Sequence, residues 1–216
     1  MVSLLVKPDG VRNCFCLKAD AAGLRTGDLC VAEVAGRRRF CLVRAVFAGD
    51  GAPAPSKGAS FVRAATDDDR ARRETNGHLA EAAMRAFDTE SAGAPQRPYA
   101  IEASFDEPRR HLLLLFHADK PFDARRIEAS LRRRFGAEVD ARQVGIRDEV
   151  AALGSIGPCG CPVCCARILQ SADAVGVNLR MAKRQNVALN PASLNGHCGR
   201  LKCCLAFEGE TSRPER

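Results

Sequence analysis

The chain has 216 residues, 46% hydrophobic and 27% charged, which is long enough for a real core and ordinary for a globular protein. With no Trp and one Tyr it has little from which to build an aromatic stacking platform, which weighs against base-stacking recognition of single strands. A net charge of +7 suits a polyanionic partner such as RNA, and suits equally an arginine-rich composition with no such partner.

No stretch approaches the ~20 uncharged apolar residues a membrane span needs. The opening MVSLLVKPDG is interrupted by Lys7 and Pro8, so it lacks the apolar run of a secretory signal. A cytoplasmic location without membrane insertion is the expectation. Thiols stay reduced there, so eleven cysteines, an odd number, are not expected to form a disulfide framework.

Short strands are predicted first, over Met1–Lys7, Asn13–Ala19, Leu29–Ala35 and Arg39–Phe47, with turn signals at Pro8-Asp9-Gly10, Thr26-Gly27-Asp28 and Gly36. They suggest a small β-barrel or sheet module over residues 1–65. The Pro/Gly/Ser loop Gly49–Gly58 is a first candidate boundary. A helix follows, capped by Thr66, with Asp67, Asp68 and Asp69 at its positive end and Leu79, Ala82, Ala83, Ala86 and Phe87 as its apolar stripe. That helix and the loop Ser91–Pro98 fill residues 66–98.

Next come a strand over Tyr99–Phe105, a turn at Pro108-Arg109-Arg110 and an apolar strand over Leu112–Phe116. A helix over Asp123–Phe135 has Ile127, Leu131 and Phe135 in four-residue steps, and an alternating strand over Glu138–Val144 closes the unit. The fold class is therefore α+β: a small β-rich amino-terminal module, then an α+β layer, then a Cys-rich carboxy-terminal segment. The helix face opposite its apolar steps carries Arg125, Arg126, Arg132, Arg133 and Arg134, either a solvated face or a surface for RNA or a partner. His111 and His117 read as strand-end residues, and His78 as a packed or exposed helix residue. Cys14, Cys16, Cys30 and Cys41 read as small buried hydrophobes.

Chemistry concentrates in the last quarter. Residues 157–165 read GPCGCPVCC and residues 196–204 read GHCGRLKCC, two copies of Gly-x-Cys-Gly-x-x-x-Cys-Cys. Crowded thiolates repel one another until a cation neutralises them, so the pattern points to a metal or iron–sulfur site. The candidate ligands are Cys159, Cys164, Cys165, Cys198, Cys203 and Cys204, with Cys161 as the odd member because Arg200 stands at its place in the second copy. Only Cys161 and Cys164 show the C-x₂-C spacing of a zinc knuckle, and adjacent cysteines are awkward as two ligands of one ion, so iron–sulfur and zinc both stay open. His197 is a further zinc-ligand candidate or a loop histidine. A thiol oxidoreductase using Cys161 and Cys164 lacks a surrounding thioredoxin-like βα pattern. The connector Asn178–Pro191 carries Arg180, Lys183 and Arg184, with Met181, Val187 and Leu189 available for packing. It reads as a spacer holding the loops together or as a surface that positions a nucleic-acid backbone.

The runs RQVGIRDEVAALGSIGPCG (142–160), NLRMAKRQNVALNP (178–191) and LNGHCGRLKCCLAFE (194–208) resemble the RicT/YaaT family, whose hallmark is the polymerase-suppressor (PSP) carboxy-terminal domain. The resemblance covers residues 99–208, leaving 209–216 as a tail. It implies a non-enzymatic cytoplasmic subunit that works with small helical partners of the RicA and RicF types in a complex carrying iron–sulfur clusters. The cofactor implied is a 4Fe–4S cluster, with zinc as the alternative. It also implies assistance to ribonuclease Y or another endoribonuclease in maturing messenger RNA, with RNA contact a further option. Carried over by position, the family's cysteines fall on the six repeated ones. Cys161 departs from the pattern, because relatives commonly have a basic residue there.

Overall fold

The structure is a computed structural model in which residues 2–11, 13–20, 23–48, 53–167 and 176–206 are described. Met1, residues 49–52 of the first Pro/Gly/Ser loop and the 209–216 tail lie outside the described residues. The chain divides into two compact units, Met1–Val144 and Gly145–Arg216.

The first unit begins with five strands: β1 (Val2–Pro8), β2 (Phe15–Ala19), β3 (Leu29–Val34), β4 (Arg37–Phe47) and β5 (Ala59–Ala64). They form one antiparallel sheet in the order β2-β1-β4-β3-β5. Strand side chains alternate between faces, so Leu4 and Val6, Leu17 and Ala19, Cys30 and Ala32, and Cys41 and Val43 meet in one buried cluster. Irregular register at Leu5/Val6 and at Val31/Ala32 bends the sheet. It curls until its two edges approach, where the Ser56 amide donates to the Cys16 carbonyl at 2.8 Å and the Cys16 amide to the Ser56 hydroxyl at 2.9 Å. β5 was not among the predicted strands. It lies beyond the Gly49–Gly58 loop and pairs with β3, so that loop joins strands of one sheet and does not end a module.

Helix α1 (Asp67–Ser91) starts where the sequence places it. The Thr66 side chain accepts from the Asp69 amide at 3.3 Å, and the Asp69 carboxylate accepts from the Thr66 amide at 2.8 Å, a reciprocal capping box. Ala80, Ala83, Ala86 and Phe87 are the buried part of its stripe. They pack on a second sheet of β6 (Tyr99–Phe105), β7 (His111–His117) and β8 (Glu138–Gln143), in that order. The Phe87 and Phe116 rings lie 5.0 Å apart between centroids.

β7 and β8 are parallel, which requires a crossover, and helix α2 (Arg125–Phe135) supplies it. Ile127 and Leu131 point from α2 into the same core, and Glu128 accepts from the Ala141 amide at 2.9 Å. His111 is buried and His117 half-buried at the two ends of β7, and His78 is exposed on α1. Burial pushes the His111 imidazole below its ordinary pKa. The β6–β8 layer shares its core with α1, and for that reason the compact division falls at Val144/Gly145 and not near residue 98.

Candidate metal centre

The second unit opens with helix α3 (Ile146–Leu153), which the sequence reading did not assign. Gly145 and Gly154 bracket it, and Asp148 and Glu149 lie in its first turn, where their charge suits the helix dipole. These bracketing signals are the ones that could have found it. The first cysteine loop runs from α3 into the short helix α4 (Cys164–Arg167).

In that loop the Gly157 amide donates to the Cys161 carbonyl at 2.8 Å and the Gly160 amide to the Gly157 carbonyl at 3.0 Å. The Val163 amide donates to Ser155 at 3.0 Å, and Ile156 bridges Pro162. The second loop repeats every one of these links. Gly196 donates to Arg200 at 2.8 Å, Gly199 to Gly196 at 3.0 Å and Lys202 to Leu194 at 2.8 Å, while Asn195 bridges Leu201. Gly160 and Gly199 hold φ of +77° and +72°, which a side chain would strain, so the glycine after the first cysteine of each copy is a backbone requirement. The repeat in the sequence is therefore a repeated hydrogen-bonded knuckle. Each delivers one cysteine at a tight turn and two at the following chain reversal.

The connector packs beneath the second knuckle. Asn178 caps helix α5 (Leu179–Arg184), accepting from the amides of Arg180 and Met181 at 3.0 and 3.3 Å. Asn190 caps the single turn α6 (Pro191–Leu194), accepting from Ser193 at 2.8 Å. Ala182, Leu194 and Leu205 form a small core with Val177, Met181, Val187 and Leu201 against it. Met181 and Val187 pack as expected, whereas Leu189 is exposed, because the chain turns out to solvent before Asn190.

All six repeated cysteines, Cys159, Cys164, Cys165, Cys198, Cys203 and Cys204, line one cavity of about 220 Å³. Val150, Val163 and Leu201 give it apolar wall, and His197 and Lys202 reach its edge. Cys161 is exposed and does not line it. Arg200, the counterpart of Cys161, reaches toward Gly145 at the start of α3. His197 has its Nε2 3.0 Å from the Ser155 hydroxyl.

Burial pushes the Cys164 thiol above its ordinary pKa, and the neighbouring Cys203 and Cys159 add to the shift. Burial likewise raises Cys203, with Cys198 and Cys204 adding to it and the positive charge of Arg147 opposing. Among the described residues no three His, Cys, Asp or Glu side chains come close enough together to hold a single metal ion. Six thiols, soft donors, are nonetheless gathered on one cavity, which fits a thiolate-ligated centre.

The other candidate residues lie elsewhere. Arg125, Arg126, Arg132, Arg133 and Arg134 are all exposed on α2 in the first unit. Lys183 and Arg184 are exposed at the end of α5 in the second. Arg132, Arg133 and Arg134 also sit in the last turn of α2, where positive charge complements the dipole. Cys16, Cys30 and Cys41 are buried and Cys14 half-buried in the first sheet. Cys30 faces Cys41 across β3 and β4, the Cys41 thiol donates to the Arg39 carbonyl at 3.5 Å, and the interaction with Cys30 together with burial pushes Cys41 well above its ordinary pKa. Among the described residues no helix is long and apolar enough to cross a membrane.

The class of protein follows from what the chain is similar to. Residues 176–213, which include the second knuckle, match the model of the PSP1-like protein, third domain. A curated relative, Stage 0 sporulation protein YaaT of Bacillus subtilis (strain 168), is 37% identical over 154 residues, covering 69% of this chain and 54% of the relative. The chain is a member of the RicT/YaaT family of PSP1-like proteins. It spans about half the length of the curated relative it matches. No solved structure matches it.

Proposed function

We propose that the chain is a non-enzymatic regulatory subunit whose second unit binds an iron–sulfur cluster, of the 4Fe–4S type. The observation that carries this is the convergence of both knuckles on one cavity. A single zinc ion needs its sulfurs packed at about 2.3 Å from one centre. A cluster takes each thiolate on a different iron and so accepts donors set further apart than the ligands of one ion.

Cys159, Cys164, Cys198 and Cys203 are the ligands in this proposal, being equivalent positions of the two knuckles that line one cavity. Cys165 and Cys204 follow directly on two of these ligands and complete the cavity wall. Cys161 stands outside. When bound, a cluster would supply a redox-responsive charged centre held by these thiolates.

The setting we propose is a cytoplasmic complex with small helical proteins of the RicA and RicF types, modulating RNA processing by ribonuclease Y or another endoribonuclease. Membership of the family supports this setting, as does the printed name of the relative, a sporulation protein. Purification without oxygen, followed by assay of iron, acid-labile sulfide and zinc, tests the cofactor. Iron and sulfide in equal amounts are expected. Stoichiometric zinc without sulfide would overturn the cluster and favour a zinc-stabilised nucleic-acid-binding module, a second reading that rests on the five exposed arginines of α2.

A further inference from the structure

Arg147 is the one buried charged side chain among the described residues of the second unit, at 7% exposure. Its Nε has no hydrogen-bond partner. An isolated buried cation is unfavourable unless something anionic accompanies it, so its burial calls for a negative neighbour. Two features say where that neighbour sits. Arg147 lies one turn before Val150 on α3, hence on the same helix face, and Val150 lines the cysteine cavity. The loop that begins at the end of α3 is the first knuckle itself.

We propose that Arg147 is the buried counter-charge of the cysteine site, a positioning residue that balances the net negative charge of a thiolate-ligated cluster and offers its free N–H on the face of α3 that lines the cavity. The proposal rests on the iron–sulfur function proposed above. Thiolates outweigh the positive charge of a cluster core, so the loaded site is anionic, and a fixed buried cation beside it favours the more negative, reduced state. Arginine fits the place because its guanidinium stays charged and is weakly hydrated, so it tolerates burial better than an ammonium.

The test reconstitutes the full chain anaerobically with iron and sulfide and compares wild type, Arg147→Lys and Arg147→Met. Redox titration is the first readout, loss of iron to a chelator the second, and circular dichroism checks folding. Arg147→Met is expected to shift the reduction equilibrium about tenfold toward the oxidised form, a potential lower by about 59 mV for a one-electron couple. It is also expected to lose iron roughly 10-fold more readily, as second-shell changes do. Arg147→Lys, which keeps the charge, is expected to stay within about twofold of wild type in potential. An Arg147→Met cluster indistinguishable from wild type overturns this inference alone. A wild-type chain that takes up no cluster overturns the proposed function and this inference with it. If the Met variant does not fold, the Lys variant decides: a potential close to wild type upholds the counter-charge, and a tenfold shift overturns it.

Discussion

Asp69 is fully buried, and hydrogen bonding to the Arg63 guanidinium, with further bonds from Thr66, holds its carboxyl well below the usual carboxylate range against the opposing effect of burial. A carboxyl with a depressed folded-state pKa contributes stability that is fully present above its unfolded value of about 3.9 and is lost as pH falls from there toward the folded value. Wild type is therefore expected to lose stability steeply below about pH 4, and Asp69→Asn to show a flatter acid limb in thermal melts from pH 5 down to pH 2. The cysteines follow the opposite sign. Burial raises Cys164 and Cys203, so the empty site holds protons that must leave when metal enters. Metal uptake is expected to strengthen as pH rises through neutrality, and calorimetry in buffers of different ionisation enthalpy should record the proton release. Cys161→Ser, being outside the cavity, is expected to leave iron content unchanged, while Cys203→Ser removes it.

At the scale of elements, patterning carried most of the first unit. The capping sequence Thr66–Asp69 gave the start of α1, and Ile127 and Leu131 at a helical step identified α2, because one face of each element is buried and its period is written in the residues. Thr66→Ala is expected to cost about 1 kcal/mol by loss of the cap. Leu131→Ala, at a site with no exposed surface, is expected to cost about 2–5 kcal/mol, read as the shift of a urea transition. What pattern could not reveal was β5, half exposed and lacking a clean alternation, and α3, eight residues long with mixed exposure along its length. For short or solvated elements the local code is weak and tertiary contact decides. The arginine face of α2 was legible as charge, but not as purpose, since its last three arginines also satisfy the helix dipole. If that face binds RNA, affinity should fall steeply between two salt concentrations, and a flat, weak response would assign the charges to the helix alone.

For the whole molecule, the telling contrast is between the cores of the two units. The first has two sizeable clusters, one in each sheet layer, while the second rests on Ala182, Leu194 and Leu205 with a few partly buried neighbours. A core that small rarely supports a fold unaided, so the proposed centre would carry much of the second unit's stability. The repeated motif is legible in the sequence, whereas the place of Cys161, a candidate ligand there, is not. Nor is Arg147, since one arginine in an unassigned helix carries no pattern, and its significance lies in burial alone. The central claim is that two knuckles build one site. Iron and sulfide content of anaerobically reconstituted Cys159→Ser and Cys198→Ser chains tests it most directly, each substitution touching one knuckle. One shared site predicts that either change empties nearly all the iron and sulfide. Retention of about half in both variants would mean two separate sites and would contradict the account.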